Sequence, residues 1–513
     1  MVEIFMKRFI SVLLLLIFLT AVLIAGVSCG DKNSEGGDAD RPQNQADAEH
    51  EDAGSQNEAA NTKLPPPELP DMDLKGADFV ILTSNLGGSG VNTIWDQRDI
   101  GAEEETGDTI NDAVYKRNSI VEEKLNCKIV DRQVHLGQFG TDVQKAVRAG
   151  DATIDAVTPR AASVFPNLIV NNCLVNFEKL PYIALSKPWW DQNCAGNLSI
   201  CGKIFGVASD MTLMDKDSTT AIVFNKQLQT DYQIENLYQL VSGGKWTIDK
   251  LLDLSKIVSV DVDGNGIRDD KDAYGLLYQI DSMTSFLSGC GGFVGGKDKN
   301  DLPVMTLITQ KSLDVLDKLF DVLYDDMYCL NFGWSEKISK DALTVMNEMF
   351  QENRALFMWI RMADVENLRS METDFGILPI PKYDEAQEQY LSTVNPYVGV
   401  LTSVPNCAAN LANSSAVLEY MAYEGKYILQ PAYYDVVLAT KIARDEESGK
   451  MLDIIFGNRA YDIGEVFNFG SLGTELAYMS RDRERNIVSN YEKKEAGAIE
   501  EIEKLVEIIQ GME

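Results

Sequence analysis

The stretch that decides the fold is 203-KIFGVASDMTLMDKDSTTAIVFNK-226. It holds two short apolar runs, 204–208 and 221–225, rich in the β-branched and aromatic residues that strands prefer. Between them Asp210 to Thr220 is polar, with several side chains able to bond sugars or ordered water. The stretch lies mid-chain, with strand and helix patterns on both sides. It reads as a crossing where one lobe hands over to another, with its polar part facing a cleft that closes around a ligand.

Upstream, the signals alternate. Ala77 to Thr83 is a predicted strand. Ile110, Val114, Val121 and Leu125 follow at helical spacing behind Asp108 and Thr109 as caps. Cys127 to Val130 reads as a strand, Thr141 to Ala149 as a helix stopped by Gly150, and Ile154 to Val157 as the next strand. This order predicts an α/β fold with a largely parallel sheet covered on both faces. Ligands of such sheets bind beyond the carboxyl ends of the strands, which makes Asn85, Arg160 and Asp210 candidates. Each competes with a plain turn residue.

The first 29 residues stand apart. Lys7 and Arg8 precede an apolar run from Phe9 to Ala25, and small residues lead to Cys29, the pattern of an export signal. An uncleaved membrane anchor is the competing reading. From Gly30 to Pro70 there is no Phe, Tyr or Trp, and the segment is acidic and polar. It cannot bury enough apolar surface to offset its ordering entropy, so 30–73 is predicted to be a disordered tether. About 440 residues remain, more than one core usually serves, which suggests two lobes.

The chain carries 79 Asp and Glu against 46 Lys and Arg, a net charge of −33, which argues against nucleic acid or an anionic membrane surface as partner. Seven cysteines follow Cys29 without a C-x-x-C pair, so neither a disulfide framework nor a zinc site is indicated. Catalysis finds little support. His50 falls in the tether, leaving His135, and no nucleophile elbow, Cys–His signature, zinc helix or phosphate loop is present. Gly87-Gly88-Ser89-Gly90 has the wrong spacing for a dinucleotide fingerprint.

The most specific chemical signal is 261-DVDGNGIRDDKD-272. Asp261, Asp263, Asn265, Asp269 and Asp272 take loop positions 1, 3, 5, 9 and 12 of a calcium-binding EF-hand loop, with Gly266 at the turn and the Ile267 carbonyl at position 7. Asp272 stands where Glu is usual. The competing reading is an Asp-Gly surface turn. A helix is predicted to enter the loop from Trp246, but Tyr274 to Tyr278 leaves it as a strand, so a structural Ca²⁺ fits better than a switch.

Trp95, Trp189, Trp190, Trp246, Trp334 and Trp359 offer faces for sugar rings, against the alternative of core packing. Trp359 ends a strand-like run from Ala355 and is followed by Arg361, while Asn395 and Tyr397 precede a second apolar run, 398–404.

With these residues in place, the chain resembles the extracellular solute-binding proteins, family 1, of bacterial ABC importers. The resemblance rests on the lipobox-like Cys29, the acidic tether, GDTINDAVYKRNSIVEEKLNCKI from Gly107, FGVASD at Phe205, TTAIVFNK at Thr219, the Trp246–Gly275 stretch, RALFMW at Arg354 and FGILPIPKYDEAQEQY at Phe375. It implies a two-lobe periplasmic-binding-protein-like α/β fold of class II type, with discontinuous lobes and three hinge crossings. The expected N-terminal lobe is 74–208 plus 345–397, the C-terminal lobe 222–344 plus 405–513, and the crossings include 209–221 and 398–404. The resemblance further implies a carbohydrate, an oligosaccharide by preference, gripped between lobes and delivered to an ABC permease. Trp359 would stack on a sugar ring, and Asp210 and Arg361 would bond its hydroxyls, with Tyr397 near the hinge. A lipid on Cys29 would hold a monomer at the outer face of the cell membrane. A surface glycoside hydrolase or lyase, and an adhesion or sensor module without a permease, are the alternatives.

Overall fold

A computed structural model describes residues 63–86, 96–333, 342–439 and 446–512, all within one compact unit, Lys63–Glu513. Trp95, Trp334, Gly87 to Gly90, the export signal with Cys29, and residues 30–62 of the tether lie outside the described residues.

The first lobe is built on a parallel sheet. Strand β1 (Ala77–Asn85) leads to helix α1 (Thr109–Leu125), β2 (Cys127–His135), α2 (Leu136–Ala149) and β3 (Ala156–Val157), in the order β2-β1-β3. Asp108 caps α1 by accepting from the Ile110 and Asn111 amides, and Gly150 ends α2 in the left-handed region at φ 63°. Both devices satisfy backbone groups that a helix terminus leaves over.

The second lobe is organised by a mixed sheet. Strand β4 (Thr220–Asn225) is followed by α3 (Ile248–Val258), β5 (Tyr274–Tyr278) and α4 (Ser282–Gly289). A hairpin, β6 (Gly295–Lys297) with β7 (Pro303–Met305), precedes β8 (Cys329–Asn331), β9 (Ala355–Arg361) and β10 (Phe375–Leu378). The order is β10-β4-β9-β5-β8, with β4 antiparallel to both neighbours and β5 parallel to β8 and β9. TAIVFN, YGLLY and ALFMWI are buried along their whole length, as strands covered on both faces must be. At Gly275 a Cβ would come within 2.0 Å of the Ser255 Cβ, so glycine is what lets β5 lie against α3.

This topology corrects the lobe assignment. Residues 345–397 belong with the second lobe, because β9 and β10 hydrogen-bond to β4 and β5 there. Beyond the short β11 (Ser392–Thr393), helix α5 (Leu411–Ala439) packs on α1 and so belongs to the first lobe, not the second. Glu419 on α5 accepts from the Trp189 Nε1 at 2.9 Å, the Trp190 Nε1 at 2.8 Å and the Ala184 amide at 3.1 Å, which ties α5 to that lobe. The chain returns to the second lobe with α6 (Glu446–Gly457), against β10; β12 (Arg459–Ala460), paired with β11; and α7 (Leu472–Asp482), against α4. Helix α8 (Ile487–Gln510) then reaches back to the first lobe, where Lys203 donates to the carbonyls of Ile509, at 2.8 Å, and Met512.

Two passages between the lobes run side by side. Val207 bridges Thr402, and Thr219 bridges Val394. Of the two apolar runs around Asp210, 221–225 falls in β4, whereas 204–208 makes isolated bridges only. The polar stretch 210–220 does not face a cleft. It is buried, with a short helix at Met214–Asp217, because ion pairs within the stretch and to distant Lys426 and Arg459 replace water around its charges.

The end of the tether is also corrected. Lys63 and Leu64 lie against α5: Lys63 pairs with Glu424 at 2.7 Å and lies over the Tyr423 ring, and the Leu64 amide and carbonyl bond the hydroxyls of Tyr427 and Tyr423. No helix among the described residues is long and apolar enough to cross a membrane. Cys127, Cys173, Cys194, Cys201, Cys290, Cys329 and Cys407 are free thiols.

Candidate ligand-binding cleft

Strand ends from both lobes converge on one cavity of about 250 Å³, lined by Leu86, Leu136 and Arg160 from the first lobe and by Leu343 and Arg361 from the second, with Tyr397 at the passage between them. Arg160 lies three residues beyond β3. Its backbone bridges Val400, its Nη1 donates to the Val398 carbonyl, and it is only 2% exposed. Burial pulls its guanidinium down to about 10, although Asp96 and Asp99 act in the opposite sense.

Arg361 is the last residue of β9. Its Nε donates to the Asp364 Oδ2 at 3.0 Å, and its Nη1 stands 3.6 Å from the Asp281 Oδ2. Asp281 also accepts from the Asn395 Nδ2 at 3.2 Å, and Asn395 Oδ1 in turn accepts from the Tyr397 amide at 3.0 Å. Tyr397 is 44% exposed and its hydroxyl is 3.5 Å from the Thr474 Oγ1, which leaves an aromatic face and a polar rim toward the cavity. Behind this row Glu465 accepts from the Thr284 hydroxyl at 2.9 Å. Burial pushes its carboxyl up to about 8, with Asp462 and Asp281 adding to the effect. The cavity thus combines guanidinium donors, a half-exposed phenol and leucine side chains.

The six predicted ligand residues separate accordingly. Arg160, Arg361 and Tyr397 come together. Asn85 ends β1 and bonds Gln133 at 3.2 Å, beside the cavity wall residue Leu86 but not in the lining. Asp210 is buried in a structural ion pair, 3.0 Å from the Lys216 Nζ and 3.8 Å from the Lys426 Nζ. Trp359 does not reach the cleft. It is fully buried inside β9 opposite Ile222 of β4, because the strand runs on past it to Arg361. Asp281 was missed by sequence reasoning, although its place three residues past β5 obeys the rule that singled out Arg160.

Larger cavities lie elsewhere among the described residues. One of about 930 Å³ separates α8 from the first lobe, around Lys203, Asn406 and Lys504; another of about 580 Å³ surrounds the β6–β7 hairpin. The smaller one is set apart because Arg160 and Arg361, each at or just beyond a strand's carboxyl end, meet there from opposite lobes.

The acidic loop is a second candidate site. Carboxylate oxygens of Asp261, Asp263 and Asp272 lie within 4.8 Å of one another. Asp261 accepts from the Gly264 and Gly266 amides, both at 2.8 Å, and Asn265 from the Ile267 amide at 2.6 Å. Gly264 and Gly266 have φ of 68° and 76°, which keeps the loop tightly turned. Asp272 is buried and accepts from the Val262 and Asp269 amides. Asp269 is turned instead toward the Lys271 amide, at 2.9 Å, as fits a position that usually reaches its ion through water. Mutual bridging of Val260 and Ala273 closes the loop, and Arg354, just before β9, donates to the Asp270 carbonyl at 2.5 Å.

No family model matches the chain, and no curated protein matches it by sequence. Solved structures do. A cyclo/maltodextrin-binding protein complexed with maltotetraose superposes with a TM-score of 0.53 at 11% identity, over 85% of this chain and 98% of that one. The protein UspC of M. tuberculosis, in a monoclinic crystal form, gives 0.54 at 13% identity, over 82% of this chain and 99% of that one. At these identities the likeness establishes architecture: the chain shares the two-lobe α/β fold of the cyclo/maltodextrin-binding protein.

Proposed function

We propose that this protein is the extracellular solute-binding component of an ABC importer, held by a lipid on Cys29, and that it captures a carbohydrate between its lobes for delivery to a permease. The observation that carries the reading is the meeting of Arg160, Arg361 and Tyr397 from both lobes in one cavity. The fold shared with a protein solved in complex with maltotetraose supports it. Oligosaccharides screened by thermal shift and then by calorimetry are expected to give a binder, and assays for new reducing ends are expected to show no cleavage. Tyr397→Ala should weaken that binder by about 2 kcal/mol, roughly 30-fold, as loss of an aromatic anchor does. Cleavage of the bound sugar would favour the hydrolase reading instead.

The same reading places a structural Ca²⁺ in the loop, held by Asp261, Asp263, Asn265, the Ile267 carbonyl and Asp272, with Asp269 acting through water. When bound, the ion would offset the mutual repulsion of these carboxylates. Chelator is expected to lower the melting temperature and added Ca²⁺ to restore it. Ion at about 100 times its Kd would stabilise by roughly 2.7 kcal/mol. No response at about 10 mM Ca²⁺ would remove the ion from the assignment, since extracellular loops of this type bind at about 10⁻⁴–10⁻³ M.

A further inference from the structure

We propose that two turns, 199–203 of the first lobe and 298–302 of the second, form a reversible clasp that holds the lobes together before any ligand arrives. The inference concerns the lobes alone and holds whatever the cavity between them takes.

Asp301 is the centre of the clasp. Its Oδ1 accepts from the Ser199 hydroxyl at 2.8 Å, its Oδ2 from the Gly202 amide at 2.8 Å, and its carbonyl from the Cys201 amide at 3.0 Å. Lys297, the last residue of β6, donates to the Ser199 Oγ at 2.6 Å, to the Gly196 carbonyl and to Asp301 itself. Burial works to raise the Asp301 carboxyl, but Lys297, the Gly202 amide and the Ser199 hydroxyl together hold it below the usual carboxylate range. It therefore stays an ionised acceptor at neutral pH.

Each turn is closed by its own bonds. Ile200 and Lys203 exchange amide–carbonyl bonds, both at 3.0 Å. Asp298 accepts from the Asn300 amide at 2.8 Å and the Leu302 amide at 2.9 Å, and its own amide donates to the Leu302 carbonyl at 2.9 Å. Neither turn needs the other to keep its shape, so the clasp can part without unfolding a lobe. The surroundings agree. The cavity of about 580 Å³ reaches Asn197, Lys297 and Asp298, and that of about 930 Å³ reaches Lys203, so the clasp is a bridge bordered by open space rather than part of a continuous core.

The backbone adds a further argument. Cys201 and Asp301 have φ of 54° and 61°, a left-handed region uncommon for residues with side chains, and they bond each other across the lobes. Such conformations persist where the surroundings impose them. A contact made in only one of two balanced arrangements sets the ratio between them. The clasp is present together with the cavity that Arg160 and Arg361 line from opposite lobes, so it favours the arrangement that forms this cavity.

The test is small-angle X-ray scattering of ligand-free wild type, Asp301→Asn and Lys297→Met, with a thermal melt of each. Asn tolerates the left-handed backbone, so the first variant removes the charge and leaves the turn intact. Losing one or two charge-assisted bonds should shift the ratio toward separated lobes by about 10- to 100-fold. The radius of gyration is then expected to exceed that of wild type by about 1 Å, roughly 5% of the value for a compact chain of this length. Wild type and variants share all else, so the difference reports lobe separation. Should Asp301→Asn fail to fold, Lys297→Met and Ser199→Ala make the same comparison. Folded variants with the radius of wild type would overturn the inference. A larger radius accompanied by loss of the cooperative melt would overturn it too, since the contact would then hold the fold rather than the lobes.

Discussion

Replacing Arg459 by Ala is expected to destabilise the protein by about 3–5 kcal/mol, the cost of stranding buried partners of a removed charge. Arg459 sits in β12 with its Nε 2.9 Å and its Nη2 2.5 Å from the Asp191 Oδ2, and it also lies 3.5 Å from the Asp215 Oδ2. The Tyr461 hydroxyl donates to the same Asp191 oxygen at 3.0 Å, while the other oxygen caps the helix Gln192–Leu198 through the Cys194 amide. Burial works to raise the Asp191 carboxyl, but Arg459, the Cys194 amide and the Tyr461 hydroxyl together more than reverse this, and the group sits below the usual carboxylate range. Without the guanidinium, two buried carboxylates would face each other where the first lobe meets the β11–β12 pair.

The sign of the pH dependence follows from that depression. A carboxyl lowered in the folded state contributes stability above its unfolded value of about 3.9, and the contribution is lost as pH falls through the folded value. Urea unfolding of wild type and Arg459→Ala, followed by tryptophan fluorescence, should therefore show the full gap near pH 7 and a narrowing gap below about pH 4. A double variant, Asp191→Asn with Arg459→Met, is expected to recover part of the loss, since it removes both charges together. Equal stability of Arg459→Ala and wild type at pH 7 would mean that water reaches this network.

Much of the fold could be read because its signals are local. β5 was bounded from its apolar run, and α1 from the Asp108 cap and the spacing of Ile110, Val114, Val121 and Leu125. The order of β1, α1, β2 and α2 shows itself in a few tens of residues. Which sheet a strand joins does not. β9 pairs with β4, more than a hundred residues upstream, and α5 crosses back to α1 from further still, so 345–397 and 405–439 were exchanged between lobes. Partners at such separation leave no mark in a single sequence. The same holds for 210–220, whose charges look solvated until Lys426 and Arg459 are brought against them by the fold.

The candidate site was legible to the extent that its residues obey a rule of position. Arg160, Arg361 and Tyr397 stand at or just past strand ends or at the passage between lobes, and there they meet. Asp281 obeys the same rule but lay hidden beside a more conspicuous acidic loop. Lys63 and Leu64 fall in a composition that reads as solvated tether, yet the tyrosines of α5 hold them. Composition describes what a segment can bury by itself; it says nothing of a surface supplied by another element.

Trp359→Ala is expected to lower the stability of the ligand-free protein by about 3–5 kcal/mol, the range for removing a buried tryptophan. The indole lies in the central strand of a five-stranded sheet, opposite Ile222 of β4, with the Phe357 ring two residues away packed at 5.2 Å on Trp246. Its Nε1 is buried with no hydrogen-bond partner among the described residues, so the ring is held by packing rather than by polar contacts. The Arg361 guanidinium lies 5.7 Å from the ring centroid, which puts the indole beneath a cavity-lining residue rather than in the lining itself. Sugar affinity of the folded variant should accordingly change by less than about tenfold, through Arg361 alone. Trp359→Phe should cost much less than Trp359→Ala, since it leaves a smaller cavity and removes an N–H whose isolation costs about 1–3 kcal/mol. Chemical denaturation of the three proteins, with calorimetry on the folded fraction, separates the two roles. An unchanged melting temperature with abolished binding would place the indole in the cleft after all.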